Sequence, residues 1–173
     1  DVNWYQAEVE SKQPLVINIH GGAFIAGDAD TLDTQSDRFS KDWGVNVATI
    51  NYKLLNENIS KQYVIEEISD TVKYFIEHSE EYNVDVNRIY IMGYSAGGYY
   101  AMASTLDLIK DGVNIKGQIL CYAFIGDIME QFAALTDEQK QNIPSALFIL
   151  AGDEPISKGS LAYEALIREN SVH

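Results

Sequence analysis

Short, continuous apolar runs alternate along this chain with longer stretches whose apolar residues recur every three or four positions. The first clear core run is residues 15–19, Leu-Val-Ile-Asn-Ile, set off by Pro14. Such a run, without polar alternation, marks a strand covered on both faces, the environment found in parallel sheets. Residues 45–52, 89–93, 117–124 and 146–151 repeat the pattern, and residues 1–5 read as the tail of an edge strand. Between them, residues 60–82 carry Val64, Ile65, Ile68, Val72, Phe75 and Ile76 at spacings that share one helical face. Residues 31–43 predict another helix, closed by Gly44. Helices are also expected over 96–108 and 160–169, with a short polar helical excursion at 128–141. Strands alternating with helices imply an α/β fold, a mostly parallel sheet with helices on both faces in a single domain.

In such a sheet, ligands bind beyond the carboxyl ends of the strands. Three polar motifs fall there: His20-Gly21-Gly22-Ala23, Ser95, and Asp153-Glu154. Ser95 stands in Gly93-Tyr94-Ser95-Ala96-Gly97, between an apolar strand and a helix start. Glycines two positions to either side permit a sharp turn that raises the hydroxyl above the sheet edge. That spacing alone arises by chance in roughly one chain in twenty of this length, so its context must carry the argument. The glycine pair after residues 15–19 supplies that context, because it lets backbone N–H groups turn toward a developing oxyanion. Gly22 and Ala23 are the expected donors, with Ala96 as a third at the helix N-terminus. An ordinary glycine turn is the competing reading for His-Gly-Gly taken alone.

Composition narrows the possibilities. With 173 residues and 46% hydrophobic content, the chain can bury one substantial core. A formal charge of −14 argues against nucleic acid or an anionic membrane surface as partner. Cys121 is the single cysteine, inside an apolar run, which excludes a disulfide framework and fits an inert buried thiol. The three histidines lack metal-ligand spacing, so neither metal nor cofactor is expected. No apolar stretch is long enough to span a bilayer, and no signal peptide is evident, which points to the cytoplasm. Secretion stays open, because the chain begins at Asp1 rather than at a methionine.

The segments 14–24, 87–98 and 146–156, in that order and separation, resemble the α/β-hydrolase fold. More specifically, they are similar to serine esterases of the hormone-sensitive-lipase-like and acetyl-esterase or feruloyl-esterase-like kind. The resemblance implies that Ser95 attacks an ester carbonyl, a histidine takes its proton, and an acid orients that histidine. Gly22, Ala23 and Ala96 would bind the oxyanion, with His20 and Gly21 shaping the loop and Gly93 and Gly97 the turn. The family's acid precedes a strand-end proline. Glu154, before Pro155, matches that position, with Asp153 as a close rival and Asp127 as a remoter one.

The histidine departs from the family pattern. His20 belongs to the oxyanion loop, His78 sits among acidic residues late in a helix, and His173 is the final residue. In the family the catalytic histidine follows one further strand, so His173 is not expected to serve and the base is expected beyond it. One or two strands also usually precede the segment matching residues 1–5. The chain is therefore expected to be an incomplete α/β-hydrolase domain, lacking the last strand and the first edge strands. Short acyl, acetyl or aryl esters are the expected substrates, with Phe24, Tyr94, Tyr99 and Tyr100 as candidate pocket residues or simple core. A fold that has lost its base and serves as a binding scaffold is one alternative. A peptidase or thioesterase is another.

Overall fold

The computed structural model describes residues 1–152 and 155–170. The apolar runs become six strands: β1 (Val2–Tyr5), β2 (Gln13–Ile19), β3 (Asn46–Ile50), β4 (Val84–Tyr94), β5 (Gly117–Cys121) and β6 (Ser145–Ile149). They form one sheet in the order β1-β3-β2-β4-β5-β6. Among the described residues only β1 runs antiparallel, against β3, while the other pairings are parallel. The helices are α1 (Asp33–Trp43), α2 (Lys61–Glu77), α3 (Ala96–Lys110), α4 (Ile128–Ala133), α5 (Asp137–Lys140) and α6 (Pro155–Asn170).

Successive strand residues point to opposite faces, and the two faces meet different helices. Leu15, Ile17 and Ile19 of β2 join Ile89 and Ile91 of β4 in a core shared with α2 and α3. Val16, Val47, Met92 and Cys121 point the other way and pack with Phe39 of α1. Helices thus cover both faces, as the unbroken apolar runs require. Ile17, Ile89 and Ile91 are fully buried. Each contributes about 1.5–3 kcal/mol relative to an exposed position. α3 is buried on nearly every side and stands directly behind β4.

The register sets the site. Leu15 pairs with Ile89, Ile17 with Ile91 and Ile19 with Gly93. The chain leaving β2 at His20 therefore emerges beside Tyr94 and Ser95.

Several boundaries differ from the pattern-based expectation. The helix expected over 60–82 starts at its Ser60 cap, whose hydroxyl accepts the Tyr63 N–H at 3.2 Å, but ends at Glu77. There His78 stacks on Tyr74, and Asn83 adopts φ 52 to turn the chain into β4. β5 stops at Cys121 because Tyr122 takes φ 38, outside strand geometry. Residues 29–32 form a 3-10 turn, Ala29–Leu32, ahead of α1, and Asp28 caps it by accepting the Thr31 N–H. The 128–141 stretch divides into two helices, since a capping box of Thr136 and Gln139 starts α5 anew. α6 begins at Pro155, earlier than expected.

Candidate active site

β4 ends at Tyr94, α3 begins at Ala96, and Ser95 makes the whole turn between them. Its backbone lies at φ 52, ψ −114, a combination that L-residues avoid and that the first central residue of a type II′ turn adopts. Such a conformation costs of order 1–3 kcal/mol and persists only where the surroundings over-determine it. Here the Ser95 N–H donates to the Cys121 carbonyl at 3.0 Å. Its own carbonyl accepts from Gly98 at 3.0 Å, Tyr99 at 3.2 Å and Phe124 at 3.0 Å. The end of β5 and the first turn of α3 thus grip the serine backbone from two sides. The flanking glycines are steric necessities. A Cβ on Gly97 would lie 2.3 Å from the Ile19 and His20 carbonyl oxygens, and one on Gly93 would lie 2.2 Å from the Gly97 oxygen.

The loop after β2 closes against this turn. A Cβ on Gly21 would stand 3.1 Å from the Tyr94 oxygen and 3.5 Å from the Ser95 Cβ. Gly22 takes φ 129, open to glycine alone, and its carbonyl accepts the N–H groups of Ile25 and Ala26. Ala23 and Phe24 follow at φ 51 and φ 71, an unusual left-handed pair. Among the described residues, the N–H groups of Gly22 and Ala23 donate no turn or loop backbone hydrogen bond. His20 is buried beneath the loop, stacked on Tyr52 at 4.2 Å, with Nδ1 2.7 Å from the Gly21 carbonyl oxygen. The Tyr52 hydroxyl donates to the His20 carbonyl at 3.0 Å. Burial pulls the His20 pKa below the usual histidine value, because the imidazolium would lose its hydration.

Gly21, Gly22 and Ser95 line one cleft of about 560 Å³, together with Thr31, Leu32, Gln35, Tyr94 and Tyr122. The polar wall from Thr31 to Gln35 was not singled out in the sequence. Its signal is faint, since only the folded chain brings the Tyr94 hydroxyl to donate to Gln35 Oε1, 59 residues away in sequence. Of the four aromatic residues proposed for a pocket, Tyr94 lines the cleft, whereas Tyr99 and Tyr100 are fully buried. Phe24 packs edge-on against both at 5.5 and 5.4 Å.

Ala96 opens α3 directly after the serine. His78 lies on the protein surface at the end of α2, its Nδ1 2.9 Å from the Tyr74 carbonyl oxygen. Neither His20 nor His78 lines the cleft. Asp127 is already engaged, accepting from the Tyr99 hydroxyl at 2.8 Å and from Gln131. Desolvation acts against its charged form, but these hydrogen bonds and nearby Lys61 still hold its carboxyl below the usual range. Asp153, Glu154 and His173 lie outside the described residues. Burial raises the Cys121 thiol to about 11, consistent with an inert side chain. No group of three metal-ligating side chains occurs among the described residues.

A family profile for BD-FAE matches residues 2–137, well over half of the chain. The chain belongs to the BD-FAE family. The acetyl esterase of Salmonella schwarzengrund (strain CVM19633) is 34% identical to this BD-FAE member over 120 residues, covering 67% of this chain and 36% of the relative. The acetyl esterase of Salmonella choleraesuis (strain SC-B67) is 35% identical over 120 residues, with the same coverage of 67% and 36%. The chain thus spans little more than a third of the length of these curated relatives. Among solved structures, the hyperthermophilic esterase from the archaeon Pyrobaculum calidifontis superposes with a TM-score of 0.84 at 23% identity, covering 99% of this chain and 68% of that one. A bacterial heroin esterase gives 0.85 at 17% identity, covering 98% and 66%. At these identities the likeness concerns the fold, and the BD-FAE member has the α/β-hydrolase fold.

Proposed function

We propose that the full-length protein is a serine carboxylesterase acting on small esters with short acyl, acetyl or aryl groups. The observation that carries this reading is the strained Ser95, held at φ 52, ψ −114 in the same cleft as Gly21 and Gly22. Backbone strain of this kind is characteristic of sites that present a reacting atom. In the proposed reaction Ser95 Oγ attacks the ester carbonyl as a base takes its proton. The oxyanion is held by the N–H groups of Gly22, Ala23 and Ala96, and the alcohol departs to leave an acyl-enzyme that water hydrolyses. Glu154 or Asp153 orients the base, Glu154 by its place before Pro155. Neither described histidine, His20 or His78, lines the cleft, which supports a base supplied from elsewhere in the full-length protein.

Acetyl esterase relatives support a small acyl group, and the open cleft of about 560 Å³ supports a small soluble substrate. The stretch between β5 and β6 holds only the two short helices α4 and α5, which favours soluble esters over lipid droplets. Hydrolysis of p-nitrophenyl acetate by the full-length protein, abolished by Ser95→Ala, tests the reading. Absence of hydrolysis in the wild type, with Ser95 inert to a phosphonate probe, would favour a binding scaffold instead. Faster turnover of a matched amide or thioester would favour a peptidase or thioesterase.

A further inference from the structure

Lys61 is the first residue of α2, where the exposed N–H groups and the helix dipole disfavour a positive charge. No acidic residue occupies that first turn, and no salt bridge to Lys61 occurs among the described residues. Its ammonium instead faces three rings, with Nζ 4.8 Å from the centroid of Phe24, 4.7 Å from Tyr99 and 5.8 Å from Phe124. These distances are those of cation–aromatic attraction. The rings come from three segments that lead into or out of the cleft. Phe24 belongs to the oxyanion loop, Tyr99 to the first turns of α3, and Phe124 to the chain leaving β5.

Two of the rings are tied to the serine itself. The backbone N–H groups of Tyr99 and Phe124 both donate to the Ser95 carbonyl. Tyr99 is fixed at its other end, where its hydroxyl donates to Asp127 and accepts from Gln131 at 3.1 Å. Phe24 carries the second of two consecutive left-handed residues, and its carbonyl accepts the Leu55 N–H at 2.9 Å. Its ring packs edge-on against Tyr99 at 5.5 Å and Phe124 at 5.7 Å. The Leu55 hydrogen bond fixes the Phe24 backbone, while only ring contacts join its side chain to Tyr99 and Phe124. An ammonium over all three rings opposes their separation, because withdrawing any ring loses attraction to it, and nearby Asp127, which accepts from the Tyr99 hydroxyl, favours its staying there.

Building on the esterase reading, we propose that Lys61 is a positioning residue that clamps the oxyanion loop to the serine turn through Phe24, Tyr99 and Phe124. Its charge acts on the donors at Gly22 and Ala23 through Phe24, without touching substrate. The experiment compares wild type, Lys61→Met and Lys61→Arg in the full-length protein. Methionine keeps an apolar stem without the charge, while arginine keeps a cation able to lie over the rings. The readouts are kcat and KM for p-nitrophenyl acetate and the inhibition constant of a trifluoromethyl ketone. Ser95 adds to that ketone as a hemiketal whose oxyanion the loop must hold. With methionine, kcat falls about tenfold, matching about 1.4 kcal/mol of lost attraction, while KM changes by less than about twofold. The inhibitor weakens by the same factor as kcat, and arginine restores both. An active wild type with an unimpaired Lys61→Met variant, or an arginine variant as impaired as methionine, overturns the clamp alone. A wild type whose Ser95 does not react with a phosphonate overturns the esterase reading and the clamp with it.

Discussion

Replacing Ser95 by glycine rather than alanine separates strain from chemistry at the turn. At an unstrained position, alanine to glycine destabilises a protein by about 0.5–1 kcal/mol, because glycine loses more conformational freedom on folding. At φ 52, ψ −114 the balance reverses, since glycine occupies this region freely whereas any Cβ does not. Relief of about 1–3 kcal/mol of strain, less the entropic cost, leaves Ser95→Gly more stable than Ser95→Ala by about 1 kcal/mol. For a domain of this size that raises the thermal midpoint by about 2–4 °C. Both variants lose the hydroxyl, and the structure shows no side-chain hydrogen bond from it among the described residues, so the comparison isolates the backbone. Thermal or urea denaturation of the two variants decides the matter. A glycine variant equal to or less stable than the alanine variant would refute the strain, and with it the claim that the fold stores energy to present Ser95.

Three further outcomes follow from the packing. Gly97→Ala places a methyl 2.3 Å from two backbone oxygens at the end of β2. It should destabilise by about 2 kcal/mol or more through overpacking and should lower esterase kcat, both read from denaturation and kinetics. Gly44→Ala, with φ 64 and nothing within 4 Å of the added atom, costs about 1 kcal/mol and leaves kcat unchanged. His20 is held neutral by burial, so its folded pKa lies below the unfolded value. Its contribution to stability is complete above about pH 6.5 and is lost as pH falls from there through the folded value, because only the unfolded chain gains the proton. Denaturation at pH 7.5 and pH 5 should show a drop that is smaller in His20→Phe, which has no such proton to gain. An equal drop in both proteins would contradict the assignment.

The pattern of apolar runs was enough to place β2, β4, α2 and α3, because each is buried on the faces that its spacing declares. The boundaries were harder, since they depend on single residues. Asn83 and Tyr122 adopt positive φ with no glycine to announce it. The turn at Ser95 was legible from Gly93 and Gly97 once set in its strand-to-helix context, and the approach of Gly21 and Gly22 to it because they follow a strand in the same sheet. The polar wall at Thr31 and Gln35, and the cluster around Lys61, were not legible. Each joins segments distant in the chain, and only the β2–β4 register and the packing of the helices beside them bring those segments together. Asp127, the remoter acid candidate from its place after β5, has its carboxylate engaged by Tyr99 and Gln131, partners that its sequence position does not announce.

Ser95 is the proposed nucleophile, and its reaction with a fluorophosphonate in the full-length protein tests that role most directly. Mass spectrometry of the digested adduct should show one phosphonyl group per chain on the peptide carrying Ser95, with p-nitrophenyl acetate hydrolysis falling in step with labelling. A folded protein that hydrolyses the ester while Ser95 stays unlabelled would contradict it.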